Sequence, residues 1–190
     1  MWTDVKDFDR KILIDCDIIR HFIRGQQIDV LHKIFPDNLY ILDIVEHEIN
    51  RSERIKPIVD KLISDRHLKQ MTFPIKPDMI AEYSKLKDKE FKGPGESACM
   101  AVARFSKDII ASNNLNDIKI YCVENSILYL TTMDFLYVAY RKGILDEAEI
   151  DYFLYLNLTG ANPSRIGFTA LQIFIDTNPS IHILFESISA

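Results

Sequence analysis

Three acidic residues stand where an α/β chain would place its chemistry. Asp15 follows the apolar run Ile12-Leu13-Ile14, with Asp17 two residues on. Glu48 lies in Val45-Glu46-His47-Glu48-Ile49, after a second apolar run at Leu39–Leu42. Glu96 opens an Ala- and Met-rich helical stretch directly after Gly93-Pro94-Gly95. A carboxylate at a buried strand end is costly unless it is hydrogen-bonded, paired with a cation or bound to a metal. Several converging carboxylates raise one another's pKa unless a divalent ion neutralises them. Hard oxygen donors of this kind suit Mg²⁺ or Mn²⁺. Each acid also has a plain structural explanation. Asp15 or Asp17 is a natural helix N-cap, Glu48 a solvent-facing helix residue, and Glu96 a first-turn acid favoured by the helix dipole.

The elements that would position these acids alternate between two periods. Apolar runs at 11–16, 39–42 and 108–111 read as strands, 70–75 as a short extended piece, and 118–123 and 127–130 as β-like pieces, with a helical turn over 113–120 as the alternative. Between them, helical patterns cover 17–25, 28–35, 44–54, 57–65, 78–86, 97–105, 132–141 and 146–156, with 87–95 as a charged loop. Strands alternating with helices imply a parallel sheet covered on both faces. The expected fold is therefore α/β, a three-layer α/β/α arrangement with a central, mostly parallel sheet. One domain spans 10–158. A C-terminal extension, 159–190, carries the apolar residues Phe168, Leu171, Ile173, Phe174, Ile183, Leu184 and Phe185. These are too many to leave exposed on a lone monomer, and they are expected to pack on the domain, a second copy or a partner.

Composition narrows the class. The 190 residues are 47% hydrophobic, enough for one core, so general disorder is excluded. No apolar stretch reaches the roughly 18 uncharged residues that span a bilayer, and the charged N-terminus has no signal-peptide core. A soluble, cytoplasmic protein is expected. Cys16, Cys99 and Cys122 form no C-x-x-C pair and read as small buried hydrophobes. The five histidines show no metal-ligand spacing. Net charge is −5, yet 11 of the 23 Lys and Arg fall between residues 51 and 92. Such a segment is a solvated face, or a phosphate-contacting surface if a nucleic-acid site lies beside it.

The order and setting of the acids resemble the PIN-domain family of metal-dependent nucleases. The family's opening motif is an apolar strand followed by Asp-Thr-(Asp/Asn/Ser)-apolar, and Ile14-Asp15-Cys16-Asp17-Ile18-Ile19 looks like it. Its second acid, in a Val-x-x-Glu-(Ile/Leu) setting, is similar to Val45–Ile49 with Glu48. Its third, Gly-Glu-(Ala/Ser)-x-Ala-apolar-Ala, is similar to Gly95-Glu96-Ser97-Ala98-Cys99-Met100-Ala101 and is the most specific of the three. Leu136–Leu145 resembles the penultimate helix of PIN proteins of toxin–antitoxin type.

The resemblance implies a Mg²⁺- or Mn²⁺-dependent endoribonuclease. Asp15, Glu48 and Glu96 would hold the metal, with Arg51, Arg54, Ser112 and Thr132 contacting RNA. An antitoxin protein and a homodimer are the implied partners. Family members commonly close the site with an Asp after the fourth strand, where this chain has Ala111-Ser112-Asn113-Asn114. Asn113 offers a neutral ligand at that position, Asp134 a borrowed acid, and Asp117 lies just downstream. A PIN-like binding module without catalysis is the alternative. A flavodoxin-like or nucleotide-binding domain is disfavoured, because neither G-x-G-x-x-G nor G-x-x-x-x-G-K-[ST] occurs.

Overall fold

Ile12–Ile14 (β1) and Ile109–Ala111 (β4) are buried along their whole length, as strands covered on both faces must be. They pair in parallel, Ile12 with Ile109 and Ile14 with Ala111. Leu39–Leu42 (β2) and Lys69–Met71 (β3) extend the sheet on one side, and Tyr129–Leu130 (β5) on the other. The order β3-β2-β1-β4-β5 is parallel throughout. In this computed structural model residues 10–89, 92–159 and 162–178 are described. The expected α/β class holds: a parallel five-stranded sheet flanked by helices.

The chain leaves β1 towards β2 and β3, then returns to lay β4 on the opposite edge of β1. The strand direction of travel therefore reverses between β1 and β4. In open α/β sheets this is where a crevice opens at the carboxyl ends. Asp15 follows β1 and Ser112 follows β4, so both enter that crevice. The Asp15 amide donates to the Ala111 carbonyl at 2.9 Å and closes the junction.

The helices follow: Cys16–Arg24 (α1), Leu31–Ile34 (α2), Asp43–Ile49 (α3), Lys56–Ser64 (α4), Pro77–Ser84 (α5), Pro94–Ser106 (α6), Leu115–Glu124 (α7), Thr132–Arg141 (α8), Glu147–Leu158 (α9) and Leu171–Thr177 (α10). Small residues make α6 the buried helix: Gly95 through Ala103 are all buried, and it packs on β1, β2 and β4 as well as on α3, α5 and α7. α1 rests on α9, where Gly25 abuts the Phe153 ring with no room for a β-carbon.

Several local expectations are corrected. Residues 118–123 are not a strand but most of α7. Ile118, Tyr121 and Cys122 are buried at helical spacing while Ile120 and Val123 face outward, a 3.6-residue period that an apolar run conceals. The helix expected over 44–54 ends at Ile49. The Ser52 carbonyl collects the Ile55 and Lys56 amides and turns the chain into α4. The third strand stops at Met71, and Ile75 is exposed. Within the expected loop 87–95, a wide turn covers Lys85–Lys89 and α6 already begins at Pro94.

Residues 162–178 pack on the main body. Leu171 and Phe174 are buried against α8 and α9, Phe174 meets Tyr137 edge-on at 6.3 Å, and Asp151 accepts the Leu171 amide at 3.0 Å. Ile183, Leu184 and Phe185 lie outside the described residues.

Candidate metal centre

Asp15 occupies the N-cap position of α1 but does not cap it. Its side chain is 4% exposed. One carboxylate oxygen, Oδ2, accepts from the Ser112 hydroxyl at 3.4 Å, while Oδ1 is buried with no hydrogen-bond partner. Burial pushes this carboxyl well above the usual range, and the charges of Asp17, Glu96 and Glu48 push it further.

Glu48 reaches the same point from α3. The Gly95 amide, in the first turn of α6, donates to Glu48 Oε1 at 3.1 Å and turns Oε2 inward. A β-carbon on Gly95 would stand 2.9 Å from Glu48 Oε2 and 3.3 Å from Asp15 Oδ1. Glycine here thus leaves open the space that both carboxylates face. The Cys16 thiol lies 4.0 Å from Glu48 Oε2. One ligand atom each from Asp15, Cys16 and Glu48 lie within 4.8 Å of one another.

Asp17 and Glu96 form the outer side. Asp17 Oδ2 accepts from the Asn113 amide at 2.7 Å and the Ser112 hydroxyl at 3.3 Å, which oppose the upward push of its burial. Its Oδ1 has no partner. Glu96 is 8% exposed, and burial raises its carboxyl to about 7. Asp117 and Asp17 add to that rise, and Asn114 and Lys92 oppose it. Asn114 ties Asp117 into this group with a 2.6 Å hydrogen bond. Among the described residues, five buried side-chain polar atoms lack a partner, and two of them, on Asp15 and Asp17, belong to this corner. Buried unsatisfied acceptors cost about 1–3 kcal/mol each, so their clustering marks a place built for something other than stability.

The donor set fits a divalent cation. It offers an orphaned buried carboxylate oxygen, a second carboxylate oriented by a backbone amide, and a glycine that keeps the space clear.

The other expected site residues sit elsewhere. The Asn113 amide oxygen accepts from the Thr132 amide at 3.0 Å and its Nδ2 donates to the Arg165 carbonyl, so both ends of the side chain are committed. Asp134 closes a capping box on α8, accepting from the Thr131 amide at 2.7 Å and the Thr131 hydroxyl at 2.6 Å. It lines a separate cavity of about 920 Å³ beside β5. Neither residue is brought to the carboxylate group as a free ligand. The Thr132 hydroxyl is buried against His21 Nδ1 at 2.8 Å, and Ser112 is turned to the two aspartates; both hydroxyls are held within the fold.

Arg51 and Arg54 do not continue the Glu48 helix; they occupy the turn after it. Arg54 lines a groove of about 700 Å³ with Arg20, His21 and Arg24, and Asp17 is the one residue of the acid cluster that lines it. Arg51 is exposed and does not line it. Several lysines of the basic segment are paired: Lys56 with Asp60, Lys61 with Asp65 and Lys69 with Asp37. That part of the segment is a solvated face.

The sequence alone reads Cys16 as a small buried hydrophobe and Asp15 or Asp17 as an N-cap. The signal for both was the Asp-x-Asp spacing at a strand end. Arg20 and Arg24 carried none, since a surface helix has arginines at such positions regardless.

The chain matches no family model, no curated protein and no solved structure. Among the described residues no helix is long and apolar enough to cross a membrane.

Proposed function

We propose that this protein is a Mg²⁺- or Mn²⁺-dependent endoribonuclease of PIN type. The observation that carries the reading is the Asp15 carboxylate, buried beside Asp17, Glu48 and Glu96 with one oxygen unpartnered. Asp15 and Glu48 are the residues that would hold the ion, with Glu96 and Asp17 at its outer side. When bound, a divalent cation supplies Lewis-acid stabilisation of the charge that develops on a phosphodiester under attack by water. Burial raises the Glu96 carboxyl to about 7, and a cation held by Asp15 and Glu48 would favour its charged form and its place at the outer side of the site. Asn113 fixes the crevice by tying the start of α8 to residue 165, and its amide holds Asp17. Arg20, Arg24 and Arg54 line a cationic groove that includes Asp17, which suits a single strand's phosphates. RNA is preferred to DNA on the toxin-like resemblance, which also implies a cytoplasmic setting, an antitoxin partner and a homodimer.

The test is cleavage of single-stranded RNA with Mn²⁺, Mg²⁺ or chelator. Metal-dependent cleavage that Asp15→Asn and Glu96→Gln each reduce at least a hundredfold supports the reading. A homogeneous wild-type protein that binds RNA and leaves it intact in both metals contradicts it. That outcome favours the second reading, a binding module without catalysis, to which the neutral Asn113 points.

A further inference from the structure

Cys16 has no role in the chemistry above, yet its sulfur is part of the tightest donor group in the crevice. Its Sγ lies 4.0 Å from Glu48 Oε2, and ligand atoms of Asp15, Cys16 and Glu48 fall within 4.8 Å of one another. A cysteine alone would mean nothing. The second observation is Asp15 Oδ1, in a side chain only 4% exposed, which has no partner and faces the same space as Glu48 Oε2.

We propose that Cys16 is a third metal donor beside Asp15 and Glu48, giving this crevice a site for a thiophilic divalent cation such as Zn²⁺ or Cd²⁺. Three protein donors with one open position is the ligand count of a catalytic zinc site. With zinc–sulfur near 2.3 Å and zinc–oxygen near 2.0 Å, a tetrahedral centre sets sulfur and oxygen about 3.5 Å apart. The observed 4.0 Å therefore needs only a small contraction. Carboxylates alone would favour hard Mg²⁺ or Mn²⁺, whereas one thiolate shifts preference towards zinc and cadmium. Binding exchanges the Cys16 S–H bond for a sulfur–metal bond and releases the proton to solvent; no electrons move. Zn²⁺ bound this way occupies the position that the hydrolytic cation would use.

The inference rests on Asp15 and Glu48 holding a divalent ion, but not on RNA cleavage. Its test is titration of the full reduced chain with Cd²⁺, read by the ultraviolet sulfur-to-cadmium charge-transfer band and by cadmium NMR. One equivalent should develop the band and give a resonance shifted by a single sulfur. Cys16→Ser should lose the band while keeping Mn²⁺ binding, and Asp15→Asn should weaken Cd²⁺ at least tenfold with the sulfur intact. Cys99→Ala and Cys122→Ser should keep the band. A wild-type cadmium resonance typical of oxygen donors alone, or a band that Cys16→Ser leaves unchanged, overturns the proposal. The NMR readout needs no variant, so a misfolded substitution does not block the decision. Sulfur-bound Cd²⁺ in a protein that never cleaves RNA upholds this site and removes the nuclease reading. Mn²⁺-dependent cleavage with no sulfur–cadmium signal does the reverse.

Discussion

The Gly95 amide donates to Glu48 Oε1 at 3.1 Å, and a β-carbon on the same residue would press to 2.9 Å from Glu48 Oε2. One backbone position thus both aims a carboxylate and keeps clear the space it faces. Gly95→Ala is expected to displace Glu48 and to lower Mn²⁺ affinity by about 10- to 100-fold, the range for groups that orient metal ligands. Alanine also favours the helix by up to about 1 kcal/mol, so the melting temperature in chelator should change little. Unaltered Mn²⁺ affinity in this variant would show that the Glu48 carboxylate is not a ligand.

Asn113 is a strut. Its side chain bridges the Thr132 amide and the Arg165 carbonyl. Asn113→Asp, which would supply an acid at the position after β4, removes the donor and sets a negative charge facing a carbonyl oxygen. It is expected to destabilise by about 0.5–1.5 kcal/mol, the net worth of a hydrogen bond lost at a half-buried side chain. Denaturant melts check this; an Asn113→Asp protein as stable as wild type would restore that position as a ligand candidate. Asp134→Asn keeps an oxygen for the Thr131 amide and loses only a charge in the first turn of α8, so it should cost about 0.3–1 kcal/mol and leave Mn²⁺ affinity unchanged.

Burial holds His21 neutral, lowering its pKa from 6.5 to about 4. Below pH 6.5 the unfolded chain takes up a proton that the folded chain refuses, so His21 costs stability progressively down to about pH 4. The neutral variant His21→Gln lacks this cost. The stability of wild type relative to His21→Gln should therefore fall across that window by up to about 3 kcal/mol. A difference that stays flat with pH would place a charged His21 in the folded protein.

Arg20 and Arg54 line the groove that Asp17 also lines, whereas Lys56 and Lys61 are paired with Asp60 and Asp65. Each phosphate contact on a single strand contributes about 0.7 to the log–log salt slope. Replacing Arg20 and Arg54 by Gln should flatten the slope of RNA binding by about 1.4 if each grips one phosphate. Lys56→Gln with Lys61→Gln should leave it unchanged. The opposite pattern would move the RNA surface to α4.

The sheet was legible because its central strands are continuous apolar runs ending in Asp15 and Ser112, and because helices separate them. α7 was not, since Ile118, Ile120 and Cys122 alternate as a strand's residues do, while the buried set Ile118, Tyr121 and Cys122 follows the helix. Asp15, Glu48 and Glu96 were legible as strand-end and first-turn acids. Their partners were not: Cys16 differs from a core cysteine only by the Glu48 carboxylate 32 residues away, and Asn113 is committed by contacts with residues 132 and 165. Such long-range pairings leave no local pattern.

The central claim is that the acids around Asp15 converge to hold a divalent ion, and thermal melting of wild type and Asp15→Asn with Mn²⁺ or chelator tests it most directly. In chelator, Asp15→Asn should be at least as stable as wild type, because it removes a buried carboxylate crowded by Asp17, Glu96 and Glu48. Millimolar Mn²⁺ should raise the wild-type melting temperature through mass action and leave Asp15→Asn almost unmoved. A wild-type melt indifferent to Mn²⁺, or an Asp15→Asn protein stabilised as much as wild type, would contradict the account.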